Sequence, residues 1–173
     1  MKQLIDKFYT AFTQLDAETM ASCYHSDIIF YDPAFGKLEG QRASNMWRML
    51  CASQKGKNMK VTFNNVVADD IRGSANWEAH YVFSKTGRKV HNKIEVQFEF
   101  KDGLIYKHTD SFDLHQWAGQ ALGFSGKVLG WSGFFQKKLQ TQTNHLLDKF
   151  EAKLSYDYTV GYGVQDIPSY ISV

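Results

Sequence analysis

The sequence predicts an α+β fold, in which a curved antiparallel sheet wraps around N-terminal helices to form a cone, with an added helix at the C-terminus. Two changes of hydrophobic period support this prediction. Apolar residues recur at helical spacing near both ends of the chain, whereas residues 59–113 alternate apolar and polar side chains. Helices, then a run of strands, then helices again are typical of α+β domains.

The N-terminal part of the chain shows three helical patterns and one strand. Apolar residues at helical spacing predict an amphipathic helix over residues 2–15, and Asp16 can cap a second, short helix. The segment DIIFYDP is typical of a strand that stops at Pro33, and Gly36 and Gly40 indicate a loop. A third helix follows from the spacing of four apolar residues, Ala43, Met46, Trp47 and Leu50.

The middle of the chain contains four strand-like runs separated by short turn signals. The turns are DIRG, KTGR and KDG, and connections this short force neighbouring strands to pair antiparallel. The sequence therefore predicts a four-stranded meander over residues 59–69, 74–84, 89–101 and 104–113.

Helical spacing returns after Leu114 and continues along a stripe that includes Phe135 and Leu154. No internal repeat or linker interrupts the chain, and 173 residues suit one domain. We therefore assign residues 1–135 to the cone and residues 136–173 to a C-terminal helix and tail of the same domain.

Composition excludes several classes of partner. The net charge is +2, from 20 basic and 18 acidic residues, so no basic surface for nucleic acid is indicated. No apolar run approaches the length of about 18 residues expected of a membrane span. The N-terminus lacks the apolar segment of a signal peptide, and Cys23 and Cys51 match no metal or redox spacing. We therefore expect a cytoplasmic protein that contacts neither membrane nor nucleic acid.

The last strand places polar residues on an apolar face. In IYKHTDSFDL, alternation puts Tyr106, His108, Asp110 and Phe112 on one side of the strand. A carboxylate on such a face is costly to bury unless it has partners. Two interpretations stay open: a buried His–Asp pair that stabilises the fold, or a pair that faces a pocket and moves protons.

Several segments resemble the SnoaL-like branch of the nuclear-transport-factor-2-like superfamily. They are FYDPAFGKLEG, MWRML, the run from NWEAHYVF to HQWAGQALG, and LGW, and together they span about residues 3–135. The resemblance implies a cone-shaped fold and a homodimer through the sheet. In polyketide-cyclase relatives, the aspartate of an H-x-D segment acts as acid and base, and that residue corresponds to Asp110.

Eight residues form the candidate site. The catalytic candidates are Asp110, His108, which would tune Asp110 or contact the substrate, and Asp32, which either reaches the pocket mouth or only initiates the turn at Pro33. The candidates for binding a small hydrophobic molecule are Trp47, Trp77, Tyr81, Asn92 and Phe112.

These residues favour a cofactor-independent acid/base enzyme acting on a small carbonyl or epoxide compound, as an isomerase, cyclase, hydratase or hydrolase. The alternative is a non-catalytic ligand-binding or protein-interaction module of the same fold. A metal site made by His108, Asp110 and either His115 or His145 would match a two-histidine, one-carboxylate iron site. However, His115 lies beyond the strand and the resemblance implies no metal, so we expect neither metal nor cofactor.

Overall fold

A computed structural model describes residues 1–130 and 132–160, which form six helices and six strands. The helices are α1 (Lys2–Thr13), α2 (Ala17–Ser22), α3 (Gln41–Gln54), α4 (Leu114–Leu122), α5 (Phe124–Leu129) and α6 (Gly133–Val160). The strands are β1 (Tyr24–Asp32), β2 (Gly36–Glu39), β3 (Lys60–Ala68), β4 (Arg72–Phe83), β5 (Arg88–Lys101) and β6 (Leu104–Ser111).

The strands form a single curved, unclosed sheet in the order β2-β1-β6-β5-β4-β3. All neighbours pair antiparallel except β1 and β6, which are parallel. Helices α1 and α3 pack on its inner face, where Phe12 contacts Trp77 and Trp47 contacts Phe30 at ring-centroid distances of 5.3 and 5.7 Å. The predicted α+β cone is therefore confirmed.

The meander pairs as its alternation predicts. Trp77 lies opposite Ile94, Ala79 opposite Asn92, and Tyr81 opposite Val90, so the apolar faces of β4 and β5 are the same face of the sheet. The KDG signal forms a two-residue hairpin in which both central residues have positive φ, as a type I′ turn requires: Asp102 at 52° and Gly103 at 76°. The inner face of these strands is thus held in register by the turns that join them.

A β-bulge changes which residues at the start of the last strand face inward, and the prediction was wrong there. Between Glu99 and Phe100 the register with β6 shifts, so Phe100 pairs with Ile105 instead of Tyr106. Ile105 is therefore fully buried and Tyr106 is half-buried, contrary to the predicted alternation. Because the bulge adds one residue, the remainder of β6 keeps the predicted phase and His108 still points inward.

The first strand is longer than predicted and belongs to a hairpin. β1 begins at Tyr24, and the segment predicted as a loop at Gly36 forms β2, which pairs back onto β1. Asp32 and Gly36 are register partners at the end of this hairpin, so the turn between them is short. This turn is important for the site because Asp32 lies at its start.

Helix α6 holds that turn through four side chains. Its polar groups donate to the turn's backbone carbonyls: the amides of Gln136, Gln140 and Asn144 and the hydroxyl of Thr143 reach the carbonyl oxygens of Pro33, Ala34 and Phe35. The hydroxyl bond, to Ala34, is 2.8 Å long. The C-terminal helix therefore positions the turn.

The predicted tail beyond residue 160 lies outside the described residues. Among the helices that the structure describes, no segment combines the length and the hydropathy of a membrane span.

Candidate active site

A cavity of about 110 Å³ opens between the inner face of the sheet and helices α1, α3 and α4. Most of its wall is apolar, with Phe12 from α1, Met46 from α3 and Ile94 from β5 among the contributors. One water molecule needs about 10–15 Å³ of such a cavity. The cavity therefore has room for a small organic molecule. We call this cavity the pocket.

Seven of the eight predicted site residues line the pocket. They are Asp32, Trp47, Trp77, Tyr81, Asn92, Asp110 and Phe112. The eighth, His108, is fully buried and lies outside the lining. His108 contacts Asp110, which agrees with the alternative in which it tunes Asp110. The catalytic and binding roles of all eight residues stay predictions.

A chain of hydrogen bonds runs from helix α3 to Asp110. The indole Nε1–H of Trp47 donates to the hydroxyl of Tyr24 at 2.7 Å. That hydroxyl lies 2.8 Å from His108 Nδ1, and His108 Nε2 lies 3.0 Å from Asp110 Oδ1. All four side chains are buried, so each bond lies in a region of low dielectric, where it is strong and where leaving it unmade is costly. We call these four residues the relay.

The inventory of donors favours one direction for the hydrogen bonds of the relay. A tyrosine hydroxyl has one hydrogen, and since Tyr24 accepts from Trp47, that hydrogen is free to donate to His108 Nδ1. His108 then accepts at Nδ1 and carries its own hydrogen on Nε2, which donates to Asp110. In this arrangement the imidazole accepts from Tyr24 and donates to the carboxyl group of Asp110.

Asp110 is held on one oxygen and open on the other. Its Oδ1 accepts from His108 and, at 3.3 Å, from the indole of Trp77. Its Oδ2 has no hydrogen-bond partner among the described residues, and the residue lines the pocket. A ligand in the pocket would therefore meet a fixed carboxylate with one free oxygen.

Asp32 combines the two roles that the sequence left open. Its Oδ1 accepts a hydrogen bond of 2.5 Å from the backbone N–H of Phe35, as a turn-initiating aspartate does, and its side chain lines the pocket. Burial raises the pKa of Asp32 to about 7, the Phe35 bond opposes this rise, and the nearby charge of Asp110 adds to it. Asp32 can therefore exchange a proton near neutral pH.

Tyr81 and Asn92 offer further polar groups in the pocket. The Tyr81 hydroxyl accepts from the indole Nε1–H of Trp117 at 2.7 Å, which leaves its own hydrogen free to donate. Burial raises the pKa of Tyr81 to about 12, so the phenol stays protonated. The side-chain amide of Asn92 has no hydrogen-bond partner among the described residues.

Sequence reasoning missed Tyr24 and Trp117. Tyr24 reaches His108 because β1 and β6 run parallel side by side, a pairing that no local pattern announces. Trp117 lies on α4, after the last strand, and closes the pocket beside Tyr81. Trp117 could have been identified from its position, since it lies near the start of the helix that follows the H-x-D strand.

Removing the Tyr24 hydroxyl should destabilise the protein. Tyr24→Phe leaves both the indole of Trp47 and Nδ1 of His108 without a partner, so we expect the free energy of unfolding to fall by about 1–3 kcal/mol. Tyr9 is the matched control, because its hydroxyl is equally buried but has no hydrogen-bond partner among the described residues. Urea denaturation of Tyr9→Phe should show no loss of stability; equal losses in both variants would contradict the relay.

Solved structures resemble this one at low sequence identity. A candidate polyketide cyclase from Xanthomonas campestris pv. campestris is 19% identical, with 69% of this chain and 94% of that chain covered and a TM-score of 0.56. An LEH-like epoxide hydrolase from M. tuberculosis is also 19% identical, with 73% and 93% covered and a TM-score of 0.56. A hypothetical protein with a ketosteroid isomerase-like fold from Catenulispora acidiphila is 12% identical, with 68% and 91% covered and a TM-score of 0.56.

At these identities the likeness concerns the fold alone, and one fold supports many functions. No curated protein sequence matches this chain significantly. The sequence itself matches the SnoaL-like domain over residues 5–108, which is more than half of the chain. The protein therefore belongs to the family of SnoaL-like domains.

Proposed function

We propose that the protein is a cofactor-independent acid/base enzyme that acts on a small hydrophobic carbonyl or epoxide compound in the pocket. One observation carries this proposal: two carboxyl groups, Asp110 and Asp32, line a single apolar cavity. Apolar walls bind the body of the ligand, and a few fixed polar groups orient it. Paired carboxyl groups in different environments are the usual equipment for moving a proton on and off a substrate.

In this proposal Asp110 is the base. Its Oδ2 takes a proton from the carbon next to the carbonyl group, or from a water that opens an epoxide, while His108 and Trp77 hold Oδ1 in place. His108 does not line the pocket, so in this proposal it acts as a positioning residue for the carboxylate. The relay behind it holds the imidazole against Asp110.

The other end of the ligand meets hydrogen donors. Asp32, with a pKa of about 7, is protonated in a substantial fraction of molecules at neutral pH and can donate to a developing oxyanion. The free hydroxyl hydrogen of Tyr81 and the amide of Asn92 can stabilise the same oxygen. The polyketide-cyclase and epoxide-hydrolase neighbours support this class of chemistry through their shared fold.

The second candidate is a non-catalytic ligand-binding module. The relay favours this candidate, because a buried network of hydrogen bonds can also serve only to hold helices to a sheet. The two candidates share the ligand but differ in turnover, so ligand binding is tested first and proton transfer second.

Ligand binding should be detectable through the tryptophans of the pocket. Small hydrophobic ketones and epoxides are expected to change the intrinsic fluorescence saturably, because Trp47, Trp77 and Trp117 line the cavity. Ala79→Leu adds bulk to the wall and should weaken binding at least tenfold. Val82→Leu, on the exposed outer face of the same strand, should leave binding unchanged. A wild-type protein that binds no member of such a panel would contradict the proposed function.

We also propose that the protein forms a homodimer through the outer face of its sheet and resides in the cytoplasm. The family resemblance supports the dimer, and the two buried free cysteines suit a reducing compartment. Light scattering at tens of micromolar is expected to give the mass of two chains, and a monomer mass would contradict the dimer.

A further inference from the structure

The outer face of the sheet, opposite the pocket, carries a cluster of three side chains with metal-binding atoms. Glu78, His80 and His91 each offer one such atom, and these atoms all lie within 4.8 Å of one another. Among the described residues, this is the only group of three or more histidine, cysteine, aspartate or glutamate side chains that meets this distance. No step of the proposed reaction uses it.

The strand geometry brings these three side chains together. Glu78 and His80 are two residues apart on β4 and therefore point to the same face, away from Trp77 and Tyr81. His91 lies directly opposite His80 on β5. The two imidazole rings stack at a centroid distance of 3.8 Å with an interplanar angle of 19°, and His91 Nε2 lies 2.6 Å from Glu78 Oε2.

A purely structural role explains this arrangement poorly. The His91–Glu78 pair is partly exposed, with 38% and 32% of the two side chains accessible, so the pair contributes little to stability. His80 is exposed and stacks on His91 with no ionic partner of its own among the described residues. Two imidazoles and a carboxyl group this close together can instead share one cation.

We infer that Glu78, His80 and His91 form a binding site for one divalent transition-metal ion, with Zn²⁺ as the best match to the ligand set. Two imidazole nitrogens and one carboxylate oxygen are a set that zinc accepts, with a water completing the tetrahedron. Neutral imidazole also suits Cu²⁺ and Ni²⁺, whereas Mg²⁺ and Ca²⁺ prefer oxygen ligands alone. The site is separate from the pocket and independent of the proposed reaction. It shares the outer face of the sheet with the proposed dimer contact, so zinc binding and dimerisation are expected to affect each other.

The required movement is small. Ligand atoms about 2.1 Å from a tetrahedral ion lie about 3.4 Å apart. The ligand atoms here all lie within 4.8 Å of one another, so the widest spacing must close by no more than about 1.4 Å. The shortest, 2.6 Å between His91 and Glu78, must open, because the ion replaces their shared hydrogen. In the single chain all three side chains are at least partly exposed and can change rotamer without disturbing the core.

The surrounding charges both favour and oppose a cation. The carboxyl group of Glu78 lies beside the two imidazoles and favours a cation between them. Lys93 lies opposite Glu78 on β5, and Lys60 lies opposite His80 on β3. Both lysines are exposed, so their ammonium groups can turn towards solvent, but they are expected to lower the affinity.

The experiment is a calorimetric titration of the chelator-treated full chain, without a histidine tag, with ZnCl₂. We expect one ion per chain for the wild type. His80→Ala and His91→Ala should each weaken binding at least tenfold, and Glu78→Gln should weaken it measurably. His145→Ala is the matched control, since His145 is also exposed but lies on α6 and outside the cluster.

A second readout identifies the ligand atoms. Zinc should shift the imidazole nitrogen resonances of His80 and His91, and Cu²⁺ should give an electron paramagnetic resonance signal with coupling to two nitrogens. The inference is overturned if the wild type binds no zinc or takes up half an ion per chain. It is also overturned if the His80→Ala, His91→Ala double variant retains the zinc, which would indicate an adventitious ion only.

Discussion

An Asp110→Asn variant is expected to lose about 10²- to 10⁴-fold of the catalysed rate while it still folds and still binds the ligand. The amide has no basic oxygen to take the proton, so the step assigned to Oδ2 is removed. Its carbonyl oxygen can still accept from His108 and Trp77, so the hydrogen bonds that hold the side chain are kept. Because the amide also avoids burying a charge, the free energy of unfolding should be unchanged or higher.

The rate can be followed without knowledge of the natural substrate. A ketone that binds in the fluorescence assay is incubated with the protein in D₂O, and the loss of its α-hydrogen signal is recorded by NMR; for an epoxide, diol formation is recorded instead. Asp70→Asn, at an exposed turn, is the control and should match the wild type. If Asp110→Asn keeps the wild-type rate, or unfolds several kcal/mol more easily, Asp110 is a structural residue.

The second large effect is a dependence of the free energy of unfolding on pH that comes from Asp32. Since the pKa of Asp32 is raised from 3.8 to about 7 in the folded protein, the folded state binds this proton more tightly than the unfolded state does. The resulting stability is present below about pH 4 and is lost as the pH rises through 7. Each pH unit between these limits corresponds to about 1.4 kcal/mol, so we expect a loss of about 2–4 kcal/mol, the lower value allowing for solvent that reaches the side chain.

Asp32→Asn should remove this dependence. At pH 8 the variant should be more stable than the wild type by about 2–4 kcal/mol, and at pH 4.5 the difference should shrink towards zero. Urea denaturation at both pH values measures the two differences, in which the contributions of all other groups cancel.

Asp69→Asn is a control in which the expected change in stability has the opposite sign. Asp69 also accepts backbone N–H groups in a turn, but its pKa is lowered by those bonds, chiefly the one from Arg72, so the variant should lose stability at high pH. An Asp32→Asn variant that is less stable than the wild type at pH 8 would show that the Phe35 bond outweighs the burial of the charge.

Local patterns were sufficient to place several residues of the pocket wall. Strict alternation along β4 and β5 placed Trp77, Tyr81 and Asn92 on the inner face, because short turns fix the register of an antiparallel meander. The same rule was wrong at Tyr106, since a bulge depends on how two strands fit together and not on either strand alone. Asp110 kept its predicted face only because the bulge precedes it.

The sequence could not show how deeply each side chain of the site is buried. Alternation shows that His108 and Asp110 share a face, but not that His108 is sealed behind Asp110 by Tyr24 and Trp47. Those contacts come from a parallel strand and from a helix far along the chain. For Asp32 the sequence offered a turn or a pocket residue as alternatives, and the structure joins them because α6 fixes the turn at the pocket.

The most direct measurement is a crystal structure of the protein with a bound ketone or epoxide from the fluorescence panel. Our account predicts electron density for the ligand in the pocket, with its reactive carbon or oxygen about 2.6–3.5 Å from Asp110 Oδ2 and its oxygen within hydrogen-bond reach of Asp32 or Tyr81. His108 should remain bonded to Asp110 and should not touch the ligand. A ligand bound elsewhere, or a pocket closed by side chains around an Asp110 that meets no ligand atom, would contradict the central claim.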